Sequence, residues 1–162
     1  MSVVHNLVPN PMPVSTTGWV QFGGCEYRLT DRGIHVTNLG GGTGKGIEYK
    51  LLTLPAGDYV YGFRADVPDH GNGDQLSLIK SPTGETYLRA VYCTHQSGFY
   101  TASFTLPEPG CKILCVAPKK QGGEMSVSDL ILTPASEWPT VQALHESGAL
   151  PYPYFNGATC TS

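Results

Sequence analysis

The chain predicts an all-β fold, an antiparallel β-sandwich, and three observations carry that prediction. Apolar and polar residues alternate with period two in most segments. Gly (20) and Pro (13) are abundant among the 162 residues, while only 14% are charged. Turn-forming clusters such as "PDHGNGD", "SPTGE", "HQSG" and "KKQGGE" recur between the alternating runs. This is too rich in glycine and proline for a helical bundle, and at 40% hydrophobic residues too apolar for a disordered chain.

The opening "NLVPNPMPVSTTGW", residues 6–19, places three prolines within five residues. Each proline removes a ladder donor, so the stretch reads as an edge strand. It should bend before Ser15, Thr16, Thr17 and Gly18 deliver Trp19 to the core. Further strands are expected at 20–22, 34–39 and 46–54. In "GDYVYGFRADV", Tyr59, Tyr61, Phe63, Ala65 and Val67 point inward, while Val60, Gly62, Arg64 and Asp66 point outward. Strands follow at 75–80 and 86–93, and then "FYTASFTL" turns Tyr100, Ala102, Phe104 and Leu106 inward. The strand at 111–117 carries Cys111 and Cys115 on one face, and "MSVSDLILT" is a strand interrupted by Asp129.

"LTLPAGDYVYGF" and "FTLPEPGCKILC" repeat one pattern, Leu-Pro followed by a glycine and an apolar strand. Proline blocks further pairing and glycine permits the turn, so these read as equivalent corners of one sandwich. After Pro134 the character changes. "SEWPTVQALHESGA" reads as one short helix, with Thr140 as a cap and Gly148 as its stop, and "LPYPYFNGATCTS" runs extended. Residues 1–133 are thus the sandwich, and 134–162 an appendage that crosses it or reaches a neighbour.

Several function classes lack support. A net charge of -3 and a pI near 5.9 leave no electrostatic footprint for nucleic acid. No apolar run approaches the ~18 residues that cross a membrane. The opening lacks the basic start and apolar core of a secretory signal, so synthesis in a cytosol is expected. The five cysteines are odd in number, show no CxxC spacing, and read as buried unreactive thiols, with no zinc site.

"LGGGTGKG", residues 39–46, imitates a phosphate loop but has Leu39 where glycine is needed and Gly46 where Ser or Thr is needed. "DVPDHGNGD" gathers Asp66, Asp69, Asn72 and Asp74, oxygen ligands without the EF-hand order, and reads as a solvated turn. The histidines are spread, no serine sits in a nucleophile elbow, and no carboxylate pair stands out, so no enzyme is expected. Sugar binding needs aromatic faces beside planar hydrogen-bonding groups. The outward positions offer Glu48, Lys50, Arg64, Asp66, Tyr87, Arg89, Thr101 and Ser103. Arg64, Asp66, Tyr87 and Arg89 are the candidate glycan face; a wet surface or a subunit interface uses the same residue types.

These motifs also carry a resemblance. "NLVPNPMPVSTTGW" resembles the "NLLPNPSFE…GW" opening of carbohydrate-binding-module-like jelly rolls in minor tail proteins of phages of actinobacteria. "LPAGDYVYGF" is similar to the "L-aGtYtfsf" strand of those modules, "MSVSDLILTP" to their closing strand, and "PYFNGAT" to the "YFdGdTPD" element that follows. The likeness runs from residue 6 to 159 in short motifs. In the family the opening continues into Phe-Glu, whose carboxylate helps bind a structural calcium ion. Here that place reads Met12-Pro13-Val14, which leaves Asp129 as the one matching carboxylate and a lone calcium candidate. Beyond Thr159 the usual Pro-Asp is Cys160-Thr161, and no larger adhesin module is expected to follow.

The resemblance implies a jelly roll built into a virion as a minor tail or surface component. Such a protein would bind a host cell-surface glycan without turnover, dock onto other virion proteins and form homo-oligomers that gain by avidity. No cofactor is implied besides that calcium. A purely structural capsid or tail subunit, and a glycan-processing enzyme, are the alternatives.

Overall fold

The computed structural model describes residues 2–161. Ten strands form two five-stranded antiparallel sheets, and a short ribbon joins the two ends of the chain. The first sheet has the order β2 (Trp19–Phe22), β5 (Gly46–Leu51), β10 (Cys111–Val116), β7 (Gln75–Lys80), β8 (Tyr87–Tyr92). The second has the order β3 (Cys25–Thr30), β4 (Gly33–Asn38), β11 (Glu124–Pro134), β6 (Gly57–Asp66), β9 (Gly98–Leu106). The ribbon pairs β1 (Val3–His5) with β12 (Thr159–Thr161).

Period-two alternation sends one side of each strand into the space between the sheets. Tyr61, Phe63, Ile34, Ile47, Ile79 and Ile113 are fully buried there. Phe63 stacks between Tyr61 and Tyr100, at 5.2 and 5.8 Å between ring centroids. Burial of each such side chain contributes about 1.5–3 kcal/mol. Cys111 and Cys115 lie on this side of β10, and burial pushes their thiols up to about 11 and about 12. The two Leu-Pro corners meet: the Gly110 N–H donates to the Leu54 carbonyl at 2.7 Å. A Cβ on Gly110, at φ +93°, would stand 2.8 Å from the Leu52 carbonyl oxygen, so this corner requires glycine.

The opening stretch is ordered but carries no strand between His5 and Trp19. β11 has a bulge between Ser128 and Ile131, with Asp129 at φ +52°. Past the bulge the opening stretch lies along β11 in place of β4. The Leu7 N–H donates to the Leu132 carbonyl, and the Leu130 N–H to that of Pro11. The prolines therefore shape an irregular partner for β11 instead of the bent edge strand expected from the sequence. Trp19 reaches the core, edge-on to Tyr49 at 5.3 Å. Strands β1, β3 and β12 lie outside the segments expected from the sequence.

A 3-10 turn (Ala135–Glu137) leads into helix α1 (Trp138–Glu146). Thr140 lies inside the helix and does not cap it; the N-cap position belongs to Glu137. Glu137 accepts instead from the backbone N–H of His5 and lies 2.9 Å from its Nδ1. Gly148, at φ +82°, follows the helix end. The segment after Pro134 crosses the outer face of the second sheet. Val141, Tyr154 and Phe155 bury Val4 and Ile131 in a separate apolar cluster, with Phe99 and Trp138 packed against it. Val60 and Gly62 do point outward, but both are buried. A Cβ on Gly62 would stand 2.8 Å from the Phe99 ring and 3.0 Å from Ile131.

Candidate functional site

The C-terminal segment packs on the second sheet, and the outer face of the first sheet lies on the opposite side of the sandwich. Register places its outward side chains in rows across the strands. Val20 opposes Glu48, Glu48 opposes Leu114, Leu114 opposes Leu78, and Leu78 opposes Ala90. One row over, Lys50 opposes Lys112, Lys112 opposes Lys80, and Lys80 opposes Tyr87. On the other side, Phe22 opposes Gly46, which opposes Val116, and Gln75 opposes Tyr92. Leu78, Leu114 and Val116 form an apolar strip with Phe22 and Ala90 packed against it.

Two tyrosines on the edge strand β8 flank this strip. Tyr92 is 52% exposed and Tyr87 64% exposed, with Lys80 Nζ 4.4 Å from the Tyr87 ring centroid. Glu48 pairs with Lys112 at 3.7 Å. At one end the face runs into a cleft of about 270 Å³ lined by Tyr92, Val116, His70, Gln75, Asp74 and Lys119, among others. Asp74 and Lys119 pair at 3.0 Å, which holds the Asp74 carboxyl below its ordinary value. His70 is buried against Met125, and desolvation lowers its pKa. An apolar floor, exposed aromatic rings and flanking hydrogen-bonding groups are what a pyranose chain requires.

The sequence-derived residues are divided between the two sheets. Tyr87 is on this face. Arg89 opposes the core residue Ile79 and is exposed at the sheet edge. Arg64 and Asp66 are on the outer face of the second sheet, in a cleft of about 530 Å³ with Arg32, Asp129 and Tyr152. Thr101 and Ser103 oppose Gly62 and Val60 on that same face. "Outward" could be read from alternation, but not which of two outward faces. Leu78, Leu114, Val116 and Tyr92 were not singled out, because their grouping depends on pairing between non-consecutive strands.

The Arg64 cleft is internally neutralised. Arg64 Nη1 is 4.0 Å from Asp129 Oδ2, and the guanidinium lies 5.1 Å from the Tyr152 ring. Arg32 pairs with Asp66 at 3.4 Å, and Ser97 donates to Asp66. Tyr152 also stacks on Phe99, so its ring is already engaged. Burial raises the Asp129 pKa, partly offset by Arg64. Calcium takes six to eight oxygens and more than one carboxylate as a rule. Asp31, Asp66 and Asp129 all line the cleft, but Asp66 is engaged by Arg32 and Ser97, and Arg64 places a positive charge beside Asp129, so these residues do not fit calcium. Among the described residues no group of three or more His, Cys, Asp or Glu is placed to hold a metal. The carboxylates of "DVPDHGNGD" serve the turn: Asp74 accepts from the Gly71 N–H, and Asp69 from that of Glu124.

Register also creates a contact that spacing did not reveal. His35 Nδ1 lies 3.0 Å from Ser126 Oγ, and its Nε2 lies 3.4 Å from Glu124. Ser126 sits in a central strand paired on both sides, to His35 and to Asp66. Backbone N–H groups there belong to ladders and are not free to hold an oxyanion. The row is a polar contact between strands.

No family profile matches the chain. No curated protein matches it by sequence. Solved structures do match. One is the second N-terminal cellulose-binding domain of β-1,4-glucanase C from Cellulomonas fimi. It has a TM-score of 0.61 at 18% identity, covering 81% of this chain and 95% of that one. Another is the CBM22-1 xylan-binding domain of Xyn10C from Paenibacillus barcinonensis, with a TM-score of 0.55 at 10% identity, covering 80% and 91%. A third is the enzymatically active domain of tailspike protein 4 from bacteriophage CBA120, with a TM-score of 0.55 at 13% identity. That match covers 78% of this chain but 21% of the tailspike chain. The fold is an all-β jelly roll of the kind found in carbohydrate-binding modules.

Proposed function

We propose that this protein is a non-catalytic carbohydrate-binding jelly roll that holds a polysaccharide across the outer face of the β2-β5-β10-β7-β8 sheet. The observation that carries the reading is the strip of Leu78, Leu114 and Val116, flanked by exposed Tyr87 and Tyr92. The cellulose- and xylan-binding domains that share the fold support it. The polymer lies across the strands, with pyranose faces on the strip and the tyrosines, and hydroxyls toward Glu48, Gln75 and the lysines.

The same reading places the protein in a virion, as a minor tail or surface component that attaches to a host-surface glycan. The resemblance of the opening and closing motifs to those of phage tail jelly rolls is what suggests that setting. Assembly into homo-oligomers would multiply weak sugar contacts through avidity. The segment after Pro134, folded back on the second sheet, leaves the proposed glycan face clear.

A panel of neutral and acidic polysaccharides, read by retention and by thermal shift, tests the function. A bound oligosaccharide at a hundredfold excess over Kd stabilises by about 2.7 kcal/mol and raises Tm. Absence of retention and of any shift across the panel contradicts glycan binding. Antibody labelling of purified particles tests the virion setting, and unlabelled particles contradict it.

A further inference from the structure

We infer that the glycan is anionic, carrying a carboxylate or a phosphodiester in its repeat; this rests on the glycan-binding reading of the same face. Lys50, Lys112 and Lys80 stand directly opposite one another on three adjacent strands. Neighbouring strands are about 4.8 Å apart, so three ammonium-bearing side chains crowd one line. Like charges directly opposite one another destabilise a sheet, and folding alone gives no reason for this row.

Compensation within the face is incomplete. Glu48 answers Lys112 at 3.7 Å. Lys80 has the Tyr87 ring, and no ion pair is formed by Lys50 among the described residues. The other outward side chains of the face are Val20, Phe22, Leu78, Ala90, Leu114, Val116, Gln75 and the tyrosines, none of them acidic. The chain as a whole carries a net charge of -3, so a positive line on this one face runs against its overall balance. Glu85 and Glu108 lie in turns outside the strands and form no ion pair with the row among the described residues.

The lysine row runs parallel to the row containing Leu114 and Leu78, two residues further along each strand. That offset is about 7 Å. A polymer seated on the apolar strip presents its substituents along one flank to Lys50, Lys112 and Lys80. Acidic substituents there meet cations spaced along the polymer's own direction. Neutral hydroxyls gain much less from ammonium groups than a carboxylate or phosphate does.

The test uses the full chain and three soluble polymers: polygalacturonate, a glycerol-phosphate polymer, and a neutral galactan. Affinities are measured by calorimetry at about 0.01 M and about 1 M salt, where screening lengths are roughly 30 and 3 Å. Wild type is compared with the double variant Lys50→Gln, Lys80→Gln and with Tyr92→Ala. We expect at least one acidic polymer to bind about tenfold or more tighter than galactan at low salt. That advantage should vanish at high salt and in the double lysine variant, while Tyr92→Ala weakens binding of every polymer. The acidic polymer that shows the lysine-dependent advantage identifies carboxylate or phosphodiester as the source. Equal binding of galactan with no effect of the lysine change overturns the anionic inference and leaves glycan binding standing. Binding of acidic polymers that survives both variants overturns the inference, because it places the charge effect elsewhere. Binding of no polymer overturns the glycan reading itself.

Discussion

Leu78 and Leu114 stand opposite each other on the outer face of the first sheet, yet they are only 6% and 4% exposed. Val116, Phe22 and Ala90 pack with the pair, which makes it the floor of the apolar strip. Apolar side chains on an outward strand face ordinarily signal a partner. Here the tyrosines of β8 border that floor on one side and Phe22 of β2 packs against it from the other.

Tyr92 is the most informative single position on the groove. Its ring is half exposed and lines the end cleft, so truncation removes contact surface without opening the core. Tyr92→Ala is expected to weaken oligosaccharide binding by about 1–2 kcal/mol, roughly five- to thirtyfold. Calorimetry measures the loss, and an unchanged Tm shows that the fold is intact.

Asn6 joins three parts of the chain. Its Nδ2 donates to the carbonyls of Leu130 and Phe155, and its Oδ1 accepts from the N–H groups of Val8 and Leu132. It is buried, so Asn6→Ala leaves backbone groups of β11 and of the C-terminal segment without partners. A loss of about 2–4 kcal/mol is expected in denaturant unfolding. Glycan affinity of the remaining folded protein should not change, because Asn6 is remote from the β10-β7 strip.

Gly62 allows the C-terminal segment to lie flat on the second sheet. Gly62→Val forces a side chain against Phe99 and Ile131 and should lift that segment. Limited proteolysis is expected to cut faster after Pro134 in the variant, with sugar binding retained on the other sheet.

Asp129 gives stability a pH dependence of known sign. Burial raises its folded pKa above the ordinary 3.8 of a free aspartate, so ionisation of the folded protein is penalised. The penalty is fully present above the folded pKa and disappears as pH falls through that value toward 3.8. Asp129→Asn removes it, and asparagine tolerates φ +52° well. The variant is expected to melt higher than wild type at neutral pH, with the gap closing in acid. His70, whose pKa burial lowers, acts in the opposite direction: stability falls as pH drops below 6.5. Both slopes are separable in pH-resolved melts of the single variants Asp129→Asn and His70→Gln.

The five thiols should divide into two classes. Cys25, Cys93, Cys111 and Cys115 are buried, whereas Cys160 on β12 is partly accessible. A thiol reagent at neutral pH is expected to titrate one cysteine in the folded protein and all five after unfolding.

Much of the fold was legible because period-two alternation is local. It identified β6, β9, β10 and β11 and the inward aromatics of the core. β3 was missed because its three apolar positions, Cys25, Tyr27 and Leu29, are separated by charged residues on a partly exposed strand. β1 and β12 are three residues each and exist only through pairing of the two chain ends. The prolines of the opening suggested an edge strand, but this stretch forms no strand, and the bulge at Asp129 that receives it is a tertiary feature. The groove was the least legible part. Lys50, Lys112 and Lys80 come from three strands far apart in sequence, and only register aligns them. Arg64 and Tyr87 are both outward, yet on opposite sides of the sandwich.

The most direct test of glycan binding on the β2-β5-β10-β7-β8 face is amide chemical-shift mapping during titration with a soluble oligosaccharide that the protein retains. We expect the largest changes at Leu78, Ala90, Tyr92, Leu114 and Val116. Changes confined to Arg64, Asp66, Asp129 and Tyr152 on the opposite face would contradict the account.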